Sequence, residues 1–433
     1  MEANNPFNRL PIELRWCILE SVPDVQSLAS AALACHAFYV AFIDKQDGLI
    51  KKVLINCIGL GSFREAVMAH QCFPPYLSVQ VNKTRWPTAE QPQQPQQPQQ
   101  QLLMYNYISD FLQRLERPSL PPSFPSDTWT MRDALTLSKF HLQVVSTLAK
   151  RLTHTCARES STMCPLKDSF SSFPLSRSEE DRIARALYRF ELFRKLFGCF
   201  TFFFEETHNQ LHNIFFTKFG PLENAQLGCI HDLLGIEIET AVKAVAEHSM
   251  VEFDPDISID DAPIQHILTL GLEKILEIVS CDTYEDRERL LIVEGMPPAK
   301  NTYFLHDALD SFCSLDLTEG IGKEIREAAP FFVDGDPGPA KVLEEDLKAD
   351  MWTEDDEETF GIYDAFGVVS RKRGSLLWDH ERLEAIGVLQ SPAATESLKR
   401  SHSPPPFQPK SLAEAKAFWL KDLKSPFTMT ASG

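Results

Sequence analysis

Two histidines offer the clearest spacing for metal chemistry. His208 and His212 lie four residues apart in a segment with helical periodicity, and this spacing can direct two imidazoles at one metal ion. Glu205 and Glu206 precede them, but a zinc protease needs a glutamate directly after the first histidine, where this chain has Asn209. Because no third ligand is in register, the pattern favours a polar helix face, and we predict no metal-binding residue.

An acidic stretch is the second candidate. The carboxylates between Asp254 and Asp261 are spaced as in a calcium loop. Such a loop needs glycine where this chain has Ile259 and a bidentate glutamate where it has Gln265. The sequence therefore excludes an EF-hand and predicts that these residues cap a helix beginning near Ala262.

Motifs for nucleotide binding and nucleophilic catalysis are not found in the sequence. Gly59 and Gly61 are followed by Arg64 instead of a third glycine, and the chain contains neither GxxxxGK[ST] nor GxSxG. Cys156 lies two residues after His154 without a metal-site spacing or an evident acid-base partner. We predict no catalytic residue and no cofactor, so the protein is expected not to be an enzyme. An enzyme with an unrecognised site is the weaker alternative.

Composition limits the class of protein. The chain has 433 residues, 43% of them apolar, which is enough for a large core or for two to three packed units. The N-terminal residues lack a basic start followed by an apolar run, and the densest apolar run, residues 196–204, is far shorter than the ~20 residues that span a bilayer. We expect an intracellular protein of the cytoplasm or nucleus that does not bind membranes.

The net negative charge of the chain is concentrated in its C-terminal part. Residues 251–433 contain 36 Asp and Glu against 18 Lys and Arg, a net charge of −18, whereas residues 1–250 carry −1. This field repels phosphates, so we expect no nucleic-acid partner. Solubility is the simplest role of the acidic residues.

The sequence predicts three short helices between residues 10 and 43. Pro11 can open the first helix, and Pro23 should end it at about Val22, because proline lacks the N–H that continues a helix. Asp24 is the expected cap of the second helix, and the third should run from His36 to Ile43.

These helices carry more apolar surface than they can hide. A unit below ~40 residues is usually too small to be stable alone, and a contiguous exposed apolar patch usually marks an interaction site. The apolar residues of the first helix fall on more than one face, and they are Ile12, Leu14, Trp16, Cys17, Ile18, Leu19 and Val22. The segment is therefore predicted to bind a partner. The alternative is an ordinary helical N-terminus that packs on its own domain.

In order and spacing this segment resembles the F-box family. The matching residues are Leu10, Pro11, Glu13, Leu14, Ile18, Leu19, Val22, Asp24, Leu28, Ala34, Cys35 and an aromatic at Phe38. The chain departs from the pattern at His36, where a basic residue is common, and at Phe38, where tryptophan is common. Two further phrases, RIARALYRFELFRKLFG and LLWDHERLEAIGVL, are similar to passages in F-box-like proteins of filamentous fungi.

The resemblance implies a partner and a role. In F-box proteins the three helices dock on a Skp-type adaptor, which joins them to a cullin and RING (SCF-type) ubiquitin ligase, while the remaining chain recruits a protein substrate. Carried over by position, the residues expected against the adaptor, or in the small core beneath it, are Leu10, Pro11, Leu14, Ile18, Leu19, Val22 and Leu28. An interaction or scaffold protein without ligase function is the alternative.

The remaining pattern predicts an all-α fold. We expect an F-box-like domain over residues 1–75 with its core at 10–43, a Pro/Gln-rich linker at 76–101, an all-helical substrate-recruiting domain at 102–424 and a tail at 425–433. Only SMVEF and FGVVS suggest extended structure, and no internal repeat indicates a solenoid or propeller.

The helices of the larger domain are predicted from periodicity and end signals. Ser178 with Asp181 is the expected cap of a helix that follows a loop at 159–178 and stops at Gly198. In that helix Arg182, Arg185, Arg189 and Glu191 are expected to lie away from the apolar face. Further helices are predicted at 131–152, 204–218, 222–234, 236–249, 262–280, 284–293, 303–314 and 340–349.

Overall fold

A computed structural model describes the residues 6–72, 106, 108–112, 129–163, 174–197, 212, 215–216, 218–246, 257–293, 305, 308–309, 336–343 and 371–389. These segments form helices and contain no strand, which confirms the predicted all-α fold class. The linker at 76–101, the tail at 425–433 and the segments SMVEF and FGVVS lie outside the described residues, as do His208 and Gly198.

Five helices form the N-terminal part. They follow a 3₁₀ turn at Pro6–Arg9, and we number them α1 (Ile12–Glu20), α2 (Val25–Ala34), α3 (His36–Asp44), α4 (Gln46–Ile58) and α5 (Phe63–Gln71). The three helices expected between residues 10 and 43 are present, and their order matches the sequence prediction.

Helix α1 ends earlier than predicted. Its last residue is Glu20, and the Ser21 N–H caps the final turn by donating to the carbonyl oxygens of Cys17 and Ile18. Val22 then lies outside the helix, since the residue before a proline is sterically disfavoured in helical conformation. The predicted cap of α2 is confirmed. The Asp24 carboxylate accepts from the Ser27 N–H at 2.8 Å.

The next described helices are α6 (Met131–Phe140), a π-helical segment (His141–Val145), α7 (Ser146–Met163) and α8 (Arg177–Phe197). Two predictions about this part are wrong. The loop expected at 159–178 is helical through Met163. Ser178 lies inside α8 and does not cap it; Asp181 instead lies 3.7 Å from the Arg177 guanidinium.

From Arg182 onward, helix α8 has no exposed side, whereas the sequence predicted a single apolar face. Its charged residues Arg182, Arg185, Arg189 and Glu191 are all 4% exposed or less, contrary to their expected position away from the core. Neighbouring helices surround α8 closely enough that charged side chains find partners within the protein. The Arg189 guanidinium, for example, lies 2.9 Å from the Glu65 carboxylate.

The last described helices are α9 (Pro221–Ala246), α10 (Ala262–Thr269), α11 (Leu272–Val279), α12 (Tyr284–Val293) and α13 (His380–Ala385), with a 3₁₀ turn at Ser375–Leu377 before α13. Helix α12 confirms the helix predicted at 284–293. The two helices predicted at 222–234 and 236–249 are one helix, α9.

Two glycines account for the differences between predicted and observed helices in α9 and in the pair α10 and α11. In α9, Gly235 stays helical and provides room for Ile259, whose Cγ2 would lie 2.6 Å from an added Cβ. The helix predicted at 262–280 is broken in two because Gly271 has a φ of +97°. Asp261 occupies the predicted N-cap position of α10, but its carboxylate accepts from the Ser258 N–H at 2.6 Å.

The chain divides into two compact units. The first comprises residues 1–155, 177–203 and 234–304, and the second comprises 156–176, 204–233 and 305–433. Helices α1–α5 therefore belong to the same unit as α6 and α8. The domain boundaries drawn from the sequence stay a prediction, since the segments that would separate the domains lie outside the described residues.

Candidate functional site

Exposed apolar side chains are concentrated near the N-terminus. Of the ten large apolar residues that are exposed in the described segments, seven precede residue 44. Those seven are Phe7, Leu14, Ile18, Leu33, Tyr39, Val40 and Ile43. Because large exposed apolar side chains that cluster mark interaction sites, this region is the candidate functional site.

Helix α1 carries apolar residues on two opposite faces. Leu19 is fully buried and Trp16 is half-buried, so this face packs inward. Leu14 and Ile18, one helical turn apart on the other side, are 49% and 38% exposed. A helix that only covered its own core would place polar residues at these two positions.

Helix α3 repeats this arrangement. Its inward face consists of Ala37, Phe38, Ala41 and Phe42, all buried. Its outward face presents Tyr39, Val40 and Ile43, which are 48%, 42% and 53% exposed. These three positions are neighbours on the helix surface, because residues three and four apart lie on the same side.

Contacts between the two helices fix these outward faces. Helices α1 and α3 pack on each other, and the Trp16 indole Nε1–H donates to the Ala41 carbonyl at 3.0 Å. The Lys45 ammonium lies 5.2 Å from the Trp16 ring centroid and 2.9 Å from the Glu20 carboxylate. We call the outward side chains Leu14, Ile18, Tyr39, Val40 and Ile43 the α1/α3 face.

Helix α2 differs from α1 and α3, because its apolar side is buried within the protein. Val25, Leu28 and Ala32 are buried, and the helix packs on α3, α4 and α6. The chain's own helices therefore use the apolar side of α2. Only Leu33, which is 76% exposed, interrupts the polar and small residues of its outer side.

The seven residues expected at an adaptor interface fall into three groups. Leu19 and Leu28 lie in the core; Leu10 and Val22 are half-buried; Pro11, Leu14 and Ile18 are exposed. Their role in adaptor binding stays a prediction. Sequence reasoning missed Tyr39, Val40 and Ile43. Their helical spacing places them on one side of α3, but it does not show that this side faces outward. Phe38, where the family commonly has tryptophan, packs inward against Phe7 with ring centroids 4.9 Å apart.

Only part of the candidate metal-binding pair is described by the structure. His212 is buried in a helical position, and His208 lies outside the described residues. Within the segments that the structure describes, no three His, Cys, Asp or Glu side chains are grouped to hold a metal ion. Those same segments include no helix of the length and apolarity needed to cross a membrane.

A buried polar pair at the π-helical segment is the main titratable feature that the sequence did not predict. His141 Nδ1 lies 3.0 Å from the Tyr188 hydroxyl, and the two rings stack at 12°. The Ser146 hydroxyl lies 3.4 Å from His141 Nε2. Burial, with a smaller contribution from Arg177, lowers the pKa of His141 to about 4. The neutral imidazole therefore joins the π-helical segment to α8.

The depressed pKa predicts acid sensitivity of the first unit. Because an unfolded histidine titrates near 6.5, the unfolded chain binds more protons than the folded one between pH 6.5 and about 4. The folding free energy contributed by neutral His141 is complete above pH 6.5 and should fall by about 3 kcal/mol as the pH reaches 4. Denaturant unfolding of the wild type and of His141→Gln at several pH values measures this loss of folding free energy. Parallel pH profiles for the two proteins would contradict the prediction.

Comparisons of this chain with protein-family models, with curated proteins and with solved structures find no match.

Proposed function

We propose that this chain is an F-box protein that serves as the substrate-recognition adaptor of a cullin-RING ubiquitin ligase. The observation that supports it is the α1/α3 face: helices α1 and α3 pack on each other, each exposes large apolar side chains, and both belong to the segment that carries the F-box-like residues. Leu14 and Ile18, two positions of the family pattern, lie on that face. The proposed partner is a Skp-type adaptor, and the proposed substrate is another protein.

The proposed contribution to ubiquitin transfer is proximity. A chain that binds the ligase core with one surface and a substrate with another raises the effective concentration of the substrate at the ubiquitin-loaded enzyme. In this role the chain forms and breaks no covalent bond. Its specificity lies in the substrate-binding surface, and its activity depends on retention of the α1/α3 face.

The α1/α3 face has the chemistry that such docking requires. Its five side chains would leave water on binding, and apolar burial is the main favourable term in protein association. Tyr39 adds an aromatic anchor, a residue type enriched among those that dominate binding energy. The charged residues Glu13 and Asp44 are exposed on the same helices, where they can form a polar rim.

The double variant Leu14→Asp/Ile18→Asp tests this proposal. Two carboxylates in an apolar interface would be buried without partners, so binding of a purified Skp-type adaptor should weaken by at least about 100-fold. Both positions are partly exposed in the free chain, so its fold should persist. Calorimetric titration of the full chain with the adaptor measures the change.

Leu142→Asp/Ile292→Asp is the matched control. These residues are 47% and 55% exposed, belong to the same unit and lie outside the α1/α3 face. We expect the control variant to bind the adaptor as the wild type does. The proposal fails if the wild-type chain binds no Skp-type adaptor, or if the test variant and the control variant bind equally well.

The packing of α2 supports a second candidate function. Because α2 packs on α4 and α6 of the same unit, the three helices also act as part of the chain's own body, as in a scaffold protein without ligase action. Co-purification distinguishes the two functions. A ligase adaptor brings a cullin with it, and its removal lengthens the half-life of another protein; a scaffold does neither.

A further inference from the structure

We propose that the α1/α3 face forms only when helices α6 and α8 are folded, so that binding at this face is coupled to the folding of the first unit. The inference rests on the proposed function for its biological consequence, since only a chain with an intact first unit would join the ligase. The coupling itself is a property of the fold and can be measured without a partner. Three sets of contacts within the first unit support it.

The first set joins α2 and α4 to α6. Both helices pack against α6, and the residues they bury include Leu28 of α2 and Val53 of α4, each fully enclosed. The Cys57 thiol of α4 lies 3.6 Å from the Ser138 hydroxyl of α6. Removal of α6 would expose the apolar side of α2, on which α3 also packs.

The second set joins α5 to α8. The Glu65 carboxylate accepts from the Arg189 guanidinium at 2.9 Å, and these side chains are 9% and 1% exposed. Further along both helices, the Lys195 ammonium donates to the Ala69 carbonyl at 2.9 Å. Because loss of one partner would leave the other charge buried and uncompensated, this ion pair ties the position of α5 to that of α8.

The third set fixes the loop between α4 and α5. The Ser62 hydroxyl donates to the Asp181 main-chain carbonyl of α8 at 3.1 Å. Gly59, at a φ of +96°, lies so close to the Asp181 and Arg177 side chains that a Cβ at this position would clash with both. The α4–α5 turn is therefore shaped to fit the first turns of α8.

These contacts link distant parts of the chain. Glu65 and Arg189 are 124 residues apart, and Lys195 and Ala69 are 126 apart. The three helices α1–α3 amount to fewer residues than the ~40 below which an isolated unit is usually unstable. Helices held together by shared buried contacts open as one cooperative unit, so α1–α3 should unfold when α8 is released.

Hydrogen exchange of the full chain carrying Arg189→Ala tests the coupling. The substitution leaves Glu65 buried without its partner and lies far along the sequence from the α1/α3 face. We expect hydrogen-bonded amides of α2 and α4, such as those of the buried residues Leu28 and Leu49, to lose protection by the same factor as those of α8, at least about 100-fold. Arg132→Ala on the exposed side of α6 is the control and should leave every helix protected.

A different pattern of exchange would overturn the inference. If α5 and α8 lose protection in Arg189→Ala while α1–α4 retain theirs, the N-terminal helices fold independently. Arg189→Lys keeps the charge without the guanidinium donors, so it provides a smaller, still measurable loss should the alanine variant fail to fold.

Exchange in the presence of a purified Skp-type adaptor separates this inference from the proposed function. At a free adaptor concentration 100 times its dissociation constant, the protection of α8 amides should rise by about 100-fold, although α8 carries none of the face residues. If the amides of α2, α4 and α8 lose protection equally in Arg189→Ala, but the adaptor changes no protection in the wild type, the coupling is supported and the proposed function is rejected. Adaptor binding that protects only α1 and α3 would reject the coupling.

Discussion

Replacing Trp378 with alanine is expected to destabilise the second unit by about 3–5 kcal/mol. The indole is fully buried, its Nε1–H donates to the Arg373 carbonyl at 2.9 Å, and the Arg382 guanidinium lies 5.6 Å from the ring centroid. The substitution removes the largest fully buried side chain of the described residues and leaves a partly buried carbonyl without this donor. Hydrogen exchange of the amides in 371–389, measured at increasing denaturant concentrations, gives the loss in free energy of unfolding.

The variant Trp378→Phe separates packing from hydrogen bonding. Phenylalanine fills most of the space but has no N–H, so the expected loss is about 1–3 kcal/mol. A loss below 1 kcal/mol for the alanine variant would mean that the second unit does not depend on this side chain, and would contradict the burial argument.

Replacing Arg371 with alanine should cost the second unit a similar amount, about 3–5 kcal/mol, for an electrostatic reason. Arg371 Nε lies 2.8 Å from the Asp232 carboxylate of α9, and the side chains are 4% and 3% exposed. The other carboxylate oxygen lies 3.1 Å from Nδ1 of the fully buried His231. Without Arg371 the Asp232 charge stays buried, uncompensated by its guanidinium. Hydrogen exchange of the α9 amides in 221–233, measured at increasing denaturant concentrations, gives the difference in free energy of unfolding between the wild type and the variant.

Two further variants control this experiment. Lys372→Ala changes the neighbouring, more exposed cation and should cost less than about 1 kcal/mol. Asp232→Leu/Arg371→Met replaces both charges with apolar groups and should recover most of the loss, because the cost lies in a buried carboxylate that has lost its guanidinium. If the double variant is no more stable than Arg371→Ala, lost apolar packing rather than charge explains the effect.

Local signals predicted helices well where the deciding contacts are also local. Asp24 caps α2 because its carboxylate reaches an N–H three residues away, a geometry set by sequence spacing alone. The cap assigned to Ser178 failed although its spacing was equally good. Asp181 lies beside Gly59 and Ser62, more than 100 residues away in the sequence, and no local pattern encodes that arrangement.

The candidate site was partly predictable, because local sequence pattern decides some of its features and tertiary packing decides the others. Apolar residues on both sides of α1 showed from the sequence that one side would stay outward, and Leu14 and Ile18 are on it. Which side of α3 faces outward depends on how α1, α2 and α4 surround it, so Tyr39 could not be assigned to the site from periodicity alone.

Buried charges were the hardest features to predict. Charged residues lie at protein surfaces by default, and a single sequence does not identify the exceptions. Arg189 and Arg371 each find a carboxylate more than 120 residues away, so their burial is decided by tertiary structure. They therefore mark the positions where the chain depends most on its long-range fold.

The assembly of the first unit from separate stretches of chain has a consequence for synthesis on the ribosome. Its N-terminal helices emerge first, but α8, whose Arg189 guanidinium donates to Glu65 of α5, emerges later, because these two residues are 124 positions apart. At typical elongation rates of 5–20 residues per second, this delay lasts about 6–25 s. During that interval the side of α5 that packs on α8 lacks its native neighbour, so the nascent chain should be a client for chaperones that bind exposed apolar segments.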